Sequence, residues 1–309
     1  MTYPFKFTVF TPTYNRAHLL PRLCSSLTNQ TYRNFEWLVI DDGSTDLTNQ
    51  TMINLIEQSD FPIHYQYQNH AHKKTAFNLG VKLAQGELFL AVDSDDELLP
   101  NALEELLKYW ELIPTEHRNR FIGVTGLRIN EQGTLIGSAF PSSILDSNFL
   151  DVFYRYKVKG DKCGFFRTEI LKVFPFPEDI PNHVPEGVVL SPIARKYLTR
   201  FINVPVLKSY KGEDQITNYK RDLRLLQNNA EGHAYWARQI LDNDLDYFFN
   251  RPLWFFKIAA NYTRFHLHMK KKKSRYHFPI YTNKAKILIT LFFPVGVARF
   301  LLDYSRRMD

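Results

Sequence analysis

The chain has 309 residues, of which 44% are apolar and 23% are charged, a globular composition that argues against disordered and collagen-like classes. Its two cysteines, Cys24 and Cys163, are too few for a disulfide framework and form no CxxC pair. The net charge of +7 is concentrated: residues 251–309 hold 13 Lys and Arg against 2 Asp and Glu, whereas residues 1–250 hold 26 and 30. This asymmetry predicts an acidic partner for the C-terminal region, either a membrane surface or a nucleic acid.

Strand and helix patterns alternate four times in the first 115 residues. This alternation predicts an α/β fold with a mostly parallel sheet and helices on both faces. We expect Asp46 to cap the second helix and Gly86 to end the third. Strands are predicted at residues 5–10, 36–42, 63–68 and 87–92, and helices at 16–30, 47–59, 74–86 and 100–113.

The pattern becomes mixed after residue 120. We expect a hairpin over 120–137, a strand leading into a short helix over 162–171, a helix over 185–198 and a last strand over 200–210. The chain beyond about Thr217 is predicted to be helical. We therefore expect two domains, 1–215 and 216–309.

Three polar clusters follow predicted strands: "TPTYNR" at 11–16, "DDGSTD" at 41–46 and "DSDD" at 93–96. Ligands of such sheets bind beyond the carboxyl ends of the strands, so we expect the clusters to meet at one edge. In the third cluster, Asp93 and Asp95 are close enough to repel each other, and a divalent cation bound to substrate phosphates relieves the repulsion. The alternative is that these acids face solvent at the start of the next helix.

The other two clusters have weaker signals. Gly43 permits a tight turn, and Asp41 or Asp42 can accept a hydrogen bond from a base N–H. Tyr14 can stack and Arg16 can bind phosphate. Ordinary loop and helix-capping roles explain both clusters equally well on their own.

In this order and spacing, and with the basic "KKTAFNLG" between the second and third clusters, the motifs resemble the family 2 glycosyltransferases of GT-A fold, over about residues 5–215. The resemblance implies transfer of a sugar, with inversion, from a nucleotide-diphosphate donor (usually a UDP-sugar) to an acceptor hydroxyl. It implies that Asp95 binds Mn²⁺ or Mg²⁺, that Asp42 contacts uracil and that Asp93 contacts ribose. The nucleotide-binding residues it implies are Thr11, Pro12, Tyr14, Arg16, Asp42, Lys73, Asn78, Asp93 and Ser94. The segment His70–His72 departs from the family's Asn-x-Gly pattern.

The resemblance also implies a carboxylate base at the start of a helix after the middle strands. Glu186, in "VPEG", is the predicted base, with Glu178 and Asp179 as the fallback. The alternative for Glu186 is a carboxylate that only favours the helix dipole. Asp214 resembles an acid that follows the last core strand in relatives, where a surface loop or an acceptor contact is expected.

The C-terminal region contains four consecutive lysines, 270–273, and an apolar run of about 16 residues, Ile287–Leu302. Because Pro294 and Gly296 interrupt this run, we predict an interfacial helix pair with cationic flanks on anionic lipid. Packing against the catalytic domain, or a true membrane span, are the alternatives.

The predicted function is sugar transfer to a glycan or lipid-linked acceptor in capsule, lipopolysaccharide or teichoic-type synthesis. No secretion signal is recognised, so we expect a cytoplasmic protein, peripheral on the inner membrane face. The alternative is a non-catalytic, GT-A-like protein that binds a nucleotide sugar or acts as a scaffold. A nucleic-acid partner is not expected, because no RNA- or DNA-reading motif accompanies the lysines.

Overall fold

The computed structural model describes residues 3–210 and 223–305. The chain divides into two compact units: Met1–Phe176 with Ser191–Glu213, and Pro177–Leu190 with Asp214–Asp309. The predicted boundary at residue 215 and the predicted role of Asp214 fall outside the described residues and stay predictions.

The first unit opens with the predicted alternation of strands and helices. Four parallel strands lie in the order β3-β2-β1-β4, with crossover helices between consecutive strands. All seven residues of β2 are buried, as expected for a strand covered on both faces. The elements are β1 (Phe5–Thr13), α1 (Leu20–Thr28), β2 (Phe35–Asp41), α2 (Thr48–Gln58), β3 (Ile63–Tyr67), α3 (His72–Leu83), β4 (Gly86–Ala91), β5 (Asp96–Leu98) and α4 (Ala102–Glu111).

The sheet continues from β4 as β8-β6-β9-β5, and β7 pairs with β9. Strand β8 is antiparallel to both β4 and β6, so this half of the sheet is mixed. The hairpin predicted over 120–137 is confirmed only at its turn, where the antiparallel bridge Ile129–Leu135 forms and the backbone nitrogen of Ile136 donates to the carbonyl of Arg128. The rest of β6 pairs instead with β8 and β9. These elements are β6 (Phe121–Asn130), β7 (Ile144–Ser147), α5 (Phe149–Tyr154), β8 (Cys163–Arg167), α6 (Thr168–Leu171) and β9 (Leu198–Ser209).

The prediction that Gly86 ends the third helix is also wrong. The C-cap of α3 is Ala84, and Gly86 is the first residue of β4. A Cβ atom at position 86 would lie 2.2 Å from the backbone nitrogen of Thr8 in β1. Glycine is therefore required by the close approach of two strands. The core beside this contact is built from the inward side chains of the sheet, including Phe7, Trp37 and Phe165.

The described part of the second unit is helical, as predicted for the C-terminal region. Helix α7 (Gly187–Ala194) begins in it, and α8 (Leu223–Asn228), α9 (Ala230–Asn243), α10 (Pro252–Lys271) and α11 (Asn283–Ser305) follow. Helices α10 and α11 run in the same direction, because Phe256 stacks on Phe292 and Arg264 pairs with Asp303 further along both helices.

The predicted division of the apolar run into a pair of helices is wrong, because α11 is one helix of 23 residues that contains Pro294. Its predicted interfacial location stays a prediction. A Cβ atom at Gly296 would lie 2.5 Å from Cβ of Thr263, so this glycine is a contact point with α10 and not a break. Within the described residues, α11 alone is long and apolar enough to cross a membrane, and its most apolar stretch of 18 residues has a mean hydropathy of 1.9. Only 17% of this stretch is buried. Length and composition by themselves are weak evidence for a membrane span.

Candidate active site

The loops after β1 and β2 are joined by side-chain to backbone hydrogen bonds. The backbone nitrogen of Asn15 donates to Oγ of Ser44, and Oδ1 of Asn15 accepts from the backbone nitrogen of Thr45, both at 2.8 Å. Asp46 accepts from the backbone nitrogen of Ala17 at 3.1 Å and from that of Thr48, at the start of α2. Two of the three predicted clusters therefore form one connected surface at the carboxyl edge of the sheet.

Arg16 connects this surface to the third cluster. Its Nη1 atom lies 3.1 Å from Oδ2 of Asp95 and 3.5 Å from Oγ of Ser94, whose side chain is buried. A second arginine, Arg22 of α1, donates to the backbone carbonyl of Asp95 at 2.6 Å. The loop after β4 is thus fixed by two cations from the chain segment that follows β1.

The third cluster brings three carboxylates together. One oxygen each from Asp93, Asp95 and Asp96 lies within 4.8 Å of the others. Hard oxygen donors at this spacing are what Mg²⁺ and Mn²⁺ prefer, and the side chains of Asp93 and Asp95 are partly exposed toward an incoming ligand. The donor set therefore fits the predicted divalent cation.

Each carboxylate of the cluster also has a cationic neighbour. Nζ of Lys73 lies 2.7 Å from Oδ1 of Asp93, and Nη1 of Arg128 lies 3.3 Å from Oδ2 of Asp96. Partial burial raises the pKa of Asp93, but the charge and hydrogen bond of Lys73 outweigh it and hold that pKa below its usual value. Burial raises the pKa of Asp96 to about 6, against the opposing charge of Arg128. Asp93 is therefore the more readily ionised of these two carboxyl groups.

The acids at the end of β2 have different surroundings. Asp41 is 1% exposed, and its carboxylate accepts from the backbone nitrogen of Ser44 at 2.8 Å and from the hydroxyl of Tyr65 at 2.6 Å. Asp42 accepts from Nε2 of Gln68 at 2.6 Å and from the backbone nitrogen of Ala71 at 2.8 Å, both through Oδ1. Its second oxygen, Oδ2, keeps acceptor capacity for a further donor.

His70 lies against that second oxygen, with Nδ1 2.9 Å from Oδ2 of Asp42. The ring of His70 packs on Tyr14, with centroids 4.5 Å apart, and on His72 at 4.9 Å. The backbone here requires Gly43, which has φ of +88° and whose Cβ would lie 2.7 Å from the nitrogen of His70. The sequence showed only that 70–72 depart from the family pattern; it gave no sign of this aromatic contact.

The comparisons with known proteins agree with this geometry. The model of the family described as "Glycosyl transferase family 2" matches residues 8–171, more than half of the chain. The chain belongs to glycosyl transferase family 2.

Relatives and solved structures support the assignment. The chain is 36% identical over 104 residues to a Campylobacter jejuni protein named GalNAc(5)-diNAcBac-PP-undecaprenol beta-1,3-glucosyltransferase, covering 33% of this chain and 34% of that one. Staphylococcus aureus TarS 1–349 in complex with UDP-GlcNAc has a similar fold, with a TM-score of 0.59, 19% identity and coverage of 97% and 81%. So does the mannosyltransferase PcManGT of Pyrobaculum calidifontis in complex with GDP-Man and Mn²⁺, with a TM-score of 0.56, 17% identity and coverage of 98% and 88%. The chain matches only about a fifth to a third of the length of the first curated relatives.

Three of the predicted nucleotide-binding residues lie in the framework of this family 2 site. Thr11 is fully buried, and its hydroxyl accepts from Nε1 of Trp37 at 3.0 Å. Pro12 lies in β1 beside Ile40 of β2. The side chain of Asn78 exchanges two hydrogen bonds of 2.9 Å with the backbone of Phe176. These contacts hold the three residues in the framework of the sheet, and their predicted roles in nucleotide binding stay predictions.

The predicted base and its fallback pair belong to the second unit. Glu186 is exposed and directly precedes α7, with its backbone carbonyl accepting from Val189 and Leu190 in the first turn. Glu178 and Asp179 are exposed as well, and the carbonyl of Asp179 accepts from the hydroxyl of Tyr276. The roles of all three carboxylates stay predictions.

Proposed function

We propose that the chain is a metal-dependent, inverting glycosyltransferase that uses a UDP-sugar and extends a cell-surface glycan on the cytoplasmic face of the membrane. The observation that carries the proposal is the group of three carboxylates beyond β4, held by Arg16 and Arg22 to the loop after β1. Membership of family 2 supports the reaction class. The complex of TarS with UDP-GlcNAc supports a uridine donor.

Asp93 and Asp95 would hold Mn²⁺ or Mg²⁺, which, when bound, supplies electrophilic stabilisation of the departing diphosphate. Lys73 and Arg16 add fixed positive charge beside these two carboxylates. Preorganised charge of this kind is most effective where negative charge develops during the reaction, here on the leaving group. The chain thereby supports departure of the nucleotide before the acceptor bond is complete.

The base of the nucleotide is assigned to the surface formed by Asp42, His70 and Tyr14. Oδ2 of Asp42 accepts the ring N–H of uracil through the lone pair that is not directed at His70, while the carboxylate is held in place by Gln68 and Ala71. The paired rings of Tyr14 and His70 offer an aromatic face on which the base stacks. Asp93 is assigned to the ribose hydroxyls.

Glu186 is assigned as the base that takes the proton of the acceptor hydroxyl as that oxygen attacks the anomeric carbon from the face opposite the nucleotide. Inversion requires one such base and no covalent intermediate. An exposed carboxylate directly before a helix suits this role, because it is accessible to an acceptor. Glu178 and Asp179 remain the fallback assignment.

Attachment to the membrane is assigned to α11 and its basic surroundings. Ile287, Leu291 and Leu302 each expose more than half of their side chain, and they lie on one side of the helix. The charged residues Arg299 and Asp303 of the same helix are instead hydrogen-bonded to α10. The undecaprenol-linked substrate in the name of the Campylobacter relative supports a lipid-linked acceptor.

The test is release of nucleoside diphosphate from a panel of UDP-, GDP- and TDP-sugars with Mn²⁺ or Mg²⁺, with a lipid-linked acceptor present. We expect one UDP-sugar to turn over, and Asp95→Asn and Glu186→Gln to lower kcat by at least about a hundredfold. Glu105→Gln, a change at a partly exposed carboxylate of α4, is the matched control and should retain activity.

Different failures have different meanings. Full activity of Glu186→Gln with loss in Asp95→Asn would move the base to Glu178 or Asp179. Calorimetric binding of UDP with Mn²⁺ but no turnover of any donor, with lipid-linked acceptors of several glycan classes, would favour the non-catalytic alternative. Metal-independent turnover would contradict the role of the carboxylate cluster.

A further inference from the structure

The second unit contains a cavity of about 450 Å³ that the proposed transfer reaction does not use. Its walls come from α10, from the segment that connects α10 to α11, and from α11. The polar lining includes His266 and Lys270 of α10 and His277 of the connecting segment, and the apolar lining includes Ile289 and Phe293 of α11. The cavity therefore has one cationic side and one apolar side.

Two buried polar atoms at this cavity have no hydrogen-bond partner among the residues that the structure describes. One is Oγ1 of Thr263, a residue that is 4% exposed, and the other is Nε2 of His266. Nδ1 of His266 lies 2.9 Å from the carbonyl oxygen of Tyr262 and must carry the proton, because a carbonyl can only accept. Burial lowers the pKa of His266, and the charge of His277 lowers it further, so Nε2 presents a lone pair. Unsatisfied buried polar atoms are costly and indicate a ligand that supplies the missing bonds.

The charge of the lining favours an anion with a hydroxyl or acidic proton. No acidic residue lines the cavity, whereas Lys270 does, and the structure records no ion pair of Lys270 with any described residue. The neighbouring lysines are engaged differently: Lys272 pairs with Glu231 at 2.5 Å, and the ammonium of Lys271 lies 3.6 Å from the ring centre of Tyr304. The four lysines are therefore not one diffuse charge, because only Lys270 contributes to the cavity.

The apolar side of the cavity is continuous with the exposed side of α11. Phe293 lines the cavity and also exposes 50% of its side chain. Leu301, eight residues further along and on the adjoining part of the helix surface, is 59% exposed. A ligand that places an anionic group beside Lys270 can therefore extend a hydrocarbon chain past Phe293 onto the surface of the helix.

We propose that this cavity binds the phosphate headgroup of a membrane lipid, whose hydrocarbon chain lies along α11. The phosphate oxygens accept from Lys270 and from the hydroxyl of Thr263, and a phosphate or headgroup hydroxyl donates to Nε2 of His266. The apolar continuation onto α11 makes a lipid, and not a free phosphate, the occupant. This inference rests on the membrane attachment proposed above but not on glycosyl transfer.

The test is flotation of the full chain with three kinds of vesicle: phosphatidylcholine alone, phosphatidylcholine with phosphatidylglycerol, and phosphatidylcholine with a fatty acid that gives the same surface charge. We expect at least tenfold tighter binding to the phosphatidylglycerol vesicles than to the fatty-acid vesicles. Lys270→Gln should remove that preference. The control is Lys273→Gln, which changes a lysine of the same run that does not line the cavity. It should weaken binding to both anionic vesicles equally, by no more than about fivefold.

Thr263→Val gives a second variant that tests the cavity without changing charge. It removes the buried hydroxyl at nearly constant volume, so the protein should stay folded while phosphatidylglycerol binding falls several-fold.

Equal losses in the two lysine variants, or equal binding to both anionic vesicles, would overturn the proposed lipid site in the cavity and leave membrane attachment standing. Competition by soluble glycerol 3-phosphate at the same concentration as the lipid would identify a free phosphate as the ligand. Binding to no vesicle would overturn both proposals, while UDP-sugar turnover would still report on glycosyl transfer separately.

Discussion

The two units use charged side chains in opposite ways. In the first unit, Asp93 and Asp95 gather at the edge of the sheet, partly exposed, with cations beside them. In the second, Asp303 is buried between α10 and α11, where it accepts from Arg264 and His268, while the other side of α11 exposes leucine and isoleucine. The carboxylates Asp93 and Asp95 are thus accessible to a ligand, whereas Asp303 is enclosed by its partners on α10.

The difference reflects what each surface contacts. A cluster of like charges destabilises a fold unless a ligand neutralises it, so it is expected where a metal and a diphosphate bind. A helix with its polar residues turned inward and its apolar residues turned outward is expected where the neighbour is hydrocarbon. The comparison therefore separates carboxylates retained for binding from carboxylates retained for stability.

Removing a carboxylate from each unit should give the largest contrast. Asp303→Asn leaves Arg264 and His268 without a counter-charge between the helices, so we expect the free energy of unfolding to fall by about 3 kcal/mol. Asp95→Asn relieves repulsion within the acidic cluster and should change stability by less than about 1 kcal/mol. Urea denaturation at neutral pH measures both, and equal losses would contradict the division into binding and structural carboxylates.

Two leucines one turn apart on α11, one buried and one exposed, test the inverted polarity of that helix. Leu288 is 8% exposed and Leu291 is 67% exposed, one turn apart. Leu288→Ala should cost about 2 to 3 kcal/mol of stability by leaving a cavity, whereas Leu291→Ala should cost less than about 0.5 kcal/mol. Vesicle flotation should show the reverse order, with the larger loss of binding in Leu291→Ala. If Leu291→Ala destabilised the protein as much as Leu288→Ala, the exposed side of α11 would be a packed surface.

The sequence predicted the first unit well, since period-two and helical spacing identify β1 to β4 and the helices between them. It did not predict the features that depend on contacts between distant segments of the chain. Gly86 looked like a helix end but permits the approach of β1 to β4, and the partner of β6 is β8, which lies more than thirty residues later in the chain. Such pairings leave no local signal.

The same limit applies to the sites. Spacing identified the acids at 93–96, because they are adjacent in the chain. It did not identify Arg128 beside Asp96 or the ring contact of Tyr14 with His70, because these contacts join distant segments. In α11, Pro294 and Gly296 suggested a broken helix, since the fit of Gly296 against Thr263 depends on a helix twenty-five or more residues earlier.

Acidification gives the smallest predicted contrast between the units. His233 stacks on Phe265 with ring centres 4.8 Å apart, and burial, together with the nearby charges of His183 and Arg264, lowers its pKa to about 4. The unfolded chain takes up this proton near pH 6.5, so between pH 6.5 and 4 it binds a proton that the folded chain does not. Stability from this group is therefore present at neutral pH and is lost as the pH falls.

At pH 4.5 the loss from this single histidine amounts to about 2 kcal/mol relative to pH 7. His233→Gln should reduce the drop in free energy of unfolding between these pH values by that amount, as measured by urea denaturation. His117→Gln, an exposed histidine of the first unit, is the matched control and should leave the drop unchanged. An unaltered pH dependence in His233→Gln would mean that His233 accepts its proton in the folded state as readily as in the unfolded chain. The interior of the second unit would then accommodate a charged histidine near Arg264.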